Sequence, residues 1–202
     1  MATRADTALE RLVTARIREA AAAHQQLGRD RHVAAIVGAA AAIAECYRQG
    51  GKLLLFGNGG SAADAQHIAA EFLGRFQRER DPLPAVALGD NNASVTAIAN
   101  DYSFDDVFAR QVRALGQPGD VAVGISTSGN SDNVVAAMIA ARQCGLTTIA
   151  LTGRNGGAVR VLAEISICFP ATATPRVQEG HALVGHLLCE LVERELFSGL
   201  HG

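Results

Sequence analysis

His67 and Glu71 stand four residues apart in the run QHIAAEF. On a helix that spacing puts an imidazole and a carboxylate on one face, one turn apart. A water-facing stripe is the plainer duty for such a pair, but Ile68, Ala69, Ala70 and Phe72 leave little of this segment polar. Just before it lies Gly57-Asn58-Gly59-Gly60-Ser61. Glycines there permit positive φ and let a ligand approach the backbone N–H groups. The helix that follows aims its unpaired N–H groups and positive dipole end at the same spot, which suits an anion. A second loop, Ser126-Thr127-Ser128-Gly129-Asn130-Ser131, also precedes a helical pattern. Capping that helix is its simplest role, but four hydroxyls in six residues exceed what a cap needs and suit phosphate oxygens. Near the C-terminus Gln178, His181 and His186 lie in apolar company. A lone histidine in that setting is usually a core residue. Two helices that each offer an imidazole with a carboxylate or carboxamide, however, fit a divalent metal. Asn100-Asp101 adds polar groups that can border the same cleft.

The elements that must position these groups alternate in kind. Apolar periodicity predicts a helix from about Asp6 to Leu27, closed by Gly28, and a second from an Asp30 cap to Tyr47, closed by Gln49-Gly50-Gly51. These two helices need a surface to cover, either the sheet or another subunit. Short apolar runs at Leu53–Phe56, Pro84–Leu88, Val121–Ile125, Thr147–Leu151 and Ile165–Phe169 read as buried strands. Helical segments separate them, starting near Asp90, Ser103 and Ser131, and a last one begins at Thr174-Pro175, with Thr174 as the cap. Arg78-Glu79-Arg80-Asp81-Pro82 reads as a polar break. The alternation predicts an α/β fold with a five-stranded parallel sheet covered on both faces. Ligands in such sheets sit beyond the carboxyl ends of the strands, where both loops emerge.

Composition narrows the class. With 202 residues, 49% hydrophobic and 19% charged, the chain reads as one globular domain spanning 1–202, helices over 1–50 and an α/β core over 51–202. A net charge of −2 leaves no footprint for nucleic acid. No stretch reaches the roughly 20 apolar residues of a membrane span, and no signal-peptide pattern opens the chain. The four cysteines (Cys46, Cys144, Cys168, Cys189) lack metal or redox spacing and read as buried free thiols, so the expected location is cytoplasmic. Gly57, Gly59 and Ala62 also fit the dinucleotide fingerprint. The acidic residue that should follow about 20 residues on is missing, Asp90 coming later, and a dinucleotide has no use for the second loop.

GNGGS, ISTSGNS, the AQH-IAAE segment, AND and RVQEGH together resemble the sugar isomerase (SIS) domain, and within it the phosphoheptose isomerase family, over about Ala8 to Phe197. The resemblance implies a three-layer α/β/α subunit with two N-terminal helices, assembled as a homotetramer. It implies zinc, one per subunit, on His67, Glu71, Gln178 and His186. It places phosphosugar contacts at Asn58, Gly59, Gly60, Ser61, Glu71, Asn100, Asp101, Ser126, Thr127, Ser128, Ser131 and Gln178. The implied activity converts sedoheptulose 7-phosphate to a heptose 7-phosphate for cell-surface glycan precursors, with Glu71 and His186 as the proton-transfer residues. A non-catalytic SIS module, such as the replication-initiator-associating protein, is the alternative; that relative lacks the acid matching Glu71. Gly180 departs from the pattern, since relatives usually carry a larger side chain there. Gln178 and His186 are eight residues apart, a rise of about 12 Å on one helix. Sharing one metal then calls for a second subunit at the site or a helix broken at Gly180.

Overall fold

The computed structural model describes residues 4–153 and 155–198; Arg154, in the expected loop after the fourth strand, lies outside them. Two helices lead, α1 (Arg4–Leu27) and α2 (Asp30–Arg48), followed by β1 (Leu53–Gly57), α3 (Gly60–Leu73) and β2 (Ala85–Ala87). Then come α4 (Asn92–Asp101), a 3-10 turn (Phe104–Asp106), α5 (Val107–Leu115), β3 (Val121–Ser126), α6 (Asp132–Gln143) and β4 (Thr147–Gly153). The described chain closes with α7 (Gly157–Leu162), β5 (Ile165–Phe169) and α8 (Thr174–Leu196).

All strand pairings are parallel, in the order β2-β1-β3-β4-β5. The direction of winding therefore reverses between β1 and β3. The two loops picked out by their residues leave the carboxyl ends of those two strands, the place where such sheets open a crevice. Continuous apolar runs are needed because both faces are covered. Leu53 and Leu55 of β1 pack into a core shared with α2, α3 and α8, while Leu54 and Phe56 pack into a second core with α5 and α6. The result is the expected three-layer sandwich.

Some boundaries move. Arg29 and Ala173, not Asp30 and Thr174, occupy the cap positions of α2 and α8, and neither makes a side-chain cap hydrogen bond. Proline is tolerated in the first turn because its missing N–H would be unpaired there anyway, so α8 starts one residue early. Ser103 does cap its turn, its Oγ accepting from Asp105 N at 3.1 Å. The cysteines are all unpaired, but only Cys46 and Cys189 are buried; Cys144 and Cys168 are half-exposed. No helix among the described residues is long and apolar enough to cross a membrane.

Candidate active site and metal centre

α3 and α8 both start at the carboxyl edge of the sheet and run side by side in the same direction. Their register follows from close approaches along their length. A Cβ on Gly60 would strike the Gln178 carboxamide, one on Gly185 would meet the Ile68 side chain, and His67 Nε2 lies 2.8 Å from His186 Nε2. Glu71 Oε1 is 3.6 Å from His67 Nε2. The donor atoms of His67, Glu71 and His186 all lie within 4.8 Å of one another in one chain. His186 therefore reaches the pair from the same chain. α8 does not break at Gly180. A Cβ there would clash with the Phe169 ring, so glycine serves the close seating of α8 on β5 and the helix runs unbroken.

Gln178 reaches α3 one level above the cluster. It sits against Gly60, seven residues or about 10 Å up α3 from His67. The chain thus gathers two imidazoles and one carboxylate, a His2Glu set of the kind that holds catalytic zinc with a position left open. Two nitrogens sharing a tetrahedral ion at 2.0–2.1 Å stand about 3.3 Å apart. The observed 2.8 Å is hydrogen-bond spacing, so a half-ångström parting of the rings fits an ion. Phe76 stacks on the His186 ring, with centroids 5.4 Å apart and planes 23° apart.

The loops take shape above this groove. Gly59, at φ +55°, caps α3 in a conformation that favours glycine. Asn58 exchanges amide hydrogen bonds with Asn133 of α6, at 2.8 and 2.9 Å, so its side chain ties the first loop to the first turn of the helix that follows the second. Ser61 is buried against Gly57 and lies beneath the loop. In the second loop Ser126 Oγ stands 3.0 Å from Ser131 Oγ and accepts from Gly129 N at 3.1 Å. Thr127 is half-exposed and Ser128 exposed. Asn100 donates to Asp101 Oδ1 at 2.8 Å, both exposed at the end of α4. His181 is the core histidine of the set: buried, with neither ring nitrogen hydrogen-bonded. Burial pulls its pKa down to about 4, only partly offset by the Thr152 backbone.

The SIS-domain family model matches residues 17–153. A phosphoheptose isomerase of Solidesulfovibrio magneticus is 52% identical over 94% of this chain and 92% of its own. The chain belongs to the phosphoheptose isomerase family. Solved phosphoheptose isomerases agree in shape. The one from Neisseria gonorrhoeae is 45% identical with a TM-score of 0.86, covering 92% of this chain and 98% of that one. The one from Francisella tularensis is 36% identical with a TM-score of 0.88, covering 93% and 98%.

For a phosphoheptose isomerase the sequence reading left out several groups. Asp64 shares the α3 face of His67 and Glu71 at i, i+3 and i+7, and its Oδ2 is buried without a partner. Burial raises its pKa, against the opposing influence of His67. Asn133 and Phe76 gave no signal, because an asparagine in a first helical turn and an aromatic after a helix are ordinary. A cavity of about 580 Å³ opens on the other side of α3, between β2, α4 and α5, and is lined by none of the candidate catalytic, phosphosugar-binding or metal-binding residues.

Proposed function

We propose that this chain is an aldose–ketose isomerase that interconverts D-sedoheptulose 7-phosphate and D-glycero-D-manno-heptose 7-phosphate, with Glu71 and His186 as its proton-transfer pair. The observation that carries this reading is the convergence of His67, Glu71 and His186 in one groove between α3 and α8, α3 starting at the first phosphate-type loop.

The reaction moves a proton between adjacent carbons through an enediol, so it needs a base, an acid and support for the developing oxyanion. Glu71 takes the proton from the substrate carbon and returns it to the neighbouring carbon. His186 passes the second proton between the two sugar oxygens. Asn58, Gly59, Gly60 and the hydroxyls of Ser126, Thr127, Ser128 and Ser131 hold the phosphate end, with Ser61 supporting the first loop from below. Asn100, Asp101 and Gln178 border the sugar chain. About 10 Å separates Gly60 from His67 along α3, in keeping with an extended seven-carbon chain whose tail is fixed while its reactive end reaches Glu71.

His67, Glu71 and His186 are the residues that would hold zinc, one per chain, with Gln178 as a fourth donor only if it swings down from Gly60. The chemistry zinc supplies when bound is polarisation of the sugar oxygens. The same reading takes the whole chain as one cytoplasmic unit working as a homotetramer, with sites at the subunit interfaces. The open apolar stripe of α1, formed by Leu9, Leu12, Val13 and Ile17, supports the assembly.

The deciding experiment incubates the protein with sedoheptulose 7-phosphate and follows the aldose. Glu71→Gln should keep substrate binding and lose about 10²–10⁴-fold in kcat; near-wild-type turnover rejects the base. No conversion by the native chain, with or without added zinc, leaves a phosphosugar-binding module instead. Purified protein should carry zinc at one equivalent per chain and lose it in His67→Ala. A metal-free preparation whose activity ignores chelators removes the metal from the reading.

A further inference from the structure

Arg80 and Glu193 form an ion pair at 3.0 Å with side chains 0% and 1% exposed. Isolating two charges this way is costly, and a hydrophobic pair of similar volume often stabilises a core as well or better. The pair spends its hydrogen-bonding capacity on two specific backbone segments. Glu193 accepts from Phe76 N at 2.9 Å, Gln77 N at 2.9 Å and Arg78 N at 3.0 Å. Arg80 donates to Glu71 O at 2.9 Å, Phe72 O at 2.9 Å and Gly74 O at 3.2 Å. These are carbonyls of the last turn of α3 and the residue just after it, where no helical partner remains.

Both segments touch the proton-transfer pair. Glu193 lies seven residues past His186, two turns along the same side of α8. Its hold on the 76–78 backbone fixes Phe76, whose ring stacks on one face of the His186 imidazole. The same imidazole meets His67 nearly edge-on through its Nε2, with centroids 5.1 Å apart at 75°. Arg80 meanwhile holds the backbone of Glu71 itself. One buried pair therefore sets the end of α3, the ring that backs His186, and the spacing of α3 from α8.

We propose that Arg80, Glu193 and Phe76 are positioning residues that fix the reach of His186 to His67 and Glu71. The proposal rests on Glu71 and His186 as the proton-transfer pair. Misplacement by about 1 Å at such a site can cost on the order of 10²-fold in rate, so a device of this kind acts on kcat. The phosphate loops lie two turns away and stay as they are, so KM is spared.

The test uses Phe76→Leu, which keeps an apolar group but removes the ring, with Phe76→Tyr as the conservative variant and Glu193→Gln as the stronger lesion. Three quantities are read: kcat and KM for sedoheptulose 7-phosphate, the thermal midpoint, and the His186 ring-proton resonances of metal-free protein, which a stacked ring displaces. Phe76→Leu should lower kcat about tenfold or more with KM within about twofold and move the His186 resonances; Phe76→Tyr should restore both. Glu193→Gln should act in the same direction; where it fails to fold, the two Phe76 variants decide. The proposal is overturned if Phe76→Leu shifts the resonances yet turns over like wild type. It is also overturned if the resonances stay in place, because the ring then does not back the imidazole. Glu71→Gln in the same assay separates the two readings. If it retains turnover the proton-transfer assignment fails, and the resonances still report on the stacking.

Discussion

α8 carries two histidines with opposite fates, and the helical period explains the difference. His181 and His186 are five residues apart, so they point about 140° away from each other. His186 faces the groove with α3; His181 faces the sheet, where burial holds it neutral with a pKa of about 4. That depression has a defined consequence for stability. Unfolded, the side chain takes up a proton as pH falls below about 6.5, whereas the folded chain resists until about pH 4. Its contribution is therefore complete above pH 6.5 and lost as pH falls toward 4, by about 3 kcal/mol in all. Between pH 7 and pH 5 the native protein should lose about 2 kcal/mol more stability than His181→Leu, as read from urea midpoints. Equal losses would show that His181 takes up its proton in the fold as readily as in the unfolded chain. At this scale the sequence was legible where partners are neighbours: His67 and Glu71 are one turn apart, and the eye finds them. Arg80 and Glu193 are 113 residues apart, and Arg80 lies in a stretch whose charges read as a solvent-exposed break. Nothing local distinguishes a guanidinium bound for the core from one bound for water.

Among the elements, glycine decides how closely helices and strands can approach. Gly180 lies in the middle of α8, where alanine would favour the helix by about 1 kcal/mol. The space its missing Cβ would take is filled by the Phe169 ring, far inside contact distance. Phe169 is fully buried, so the ring has nowhere to go, and overpacking of this kind costs about 1–3 kcal/mol. The steric term wins: Gly180→Ala should lower the thermal midpoint, and an unchanged or raised midpoint would mean that α8 has slack against β5. Gly60 poses the opposite case. The atom in the way there is the end of the Gln178 side chain, which can swing aside. The strands were legible to within a residue or two because apolar runs bounded by glycine and polar turns leave few alternatives. The helix starts slipped by one because Asp30 and Thr174 are good caps by type, while the caps at Arg29 and Ala173 use no side chain at all.

For the whole molecule, the parallel sheet followed from the alternation of strands and helices and the loops of the site from the carboxyl ends of its strands, but the strand order and the surface of α1 belong to no local pattern. Its C-terminal half is docked: Ala23 and Leu27 are buried, the His24 ring packs edge-on against Phe169 at 5.3 Å, and Arg176 of α8 donates to Arg16 O at 3.0 Å. Its earlier turns carry Leu9, Leu12, Val13 and Ile17 at 50–64% exposure, spaced i, i+3, i+4 and i+8 as one stripe. Val33 and Val37 of α2 add to the apolar surface. A stripe this regular would be an aggregation hazard if left in water, and the simplest closed solution is the same stripe from another copy across a two-fold axis. Ile17→Asp places a charge in the middle of that contact. Because Ile17 is exposed in the single chain, folding should survive, with an unchanged circular dichroism spectrum. The proposed assembly should not survive, because a buried, unpaired carboxylate in each copy costs more than the contact returns. Sedimentation of Ile17→Asp should therefore give a smaller species than the native protein at the same concentration. A variant that sediments as the native assembly would place the subunit contact elsewhere and leave the α1 stripe without a partner.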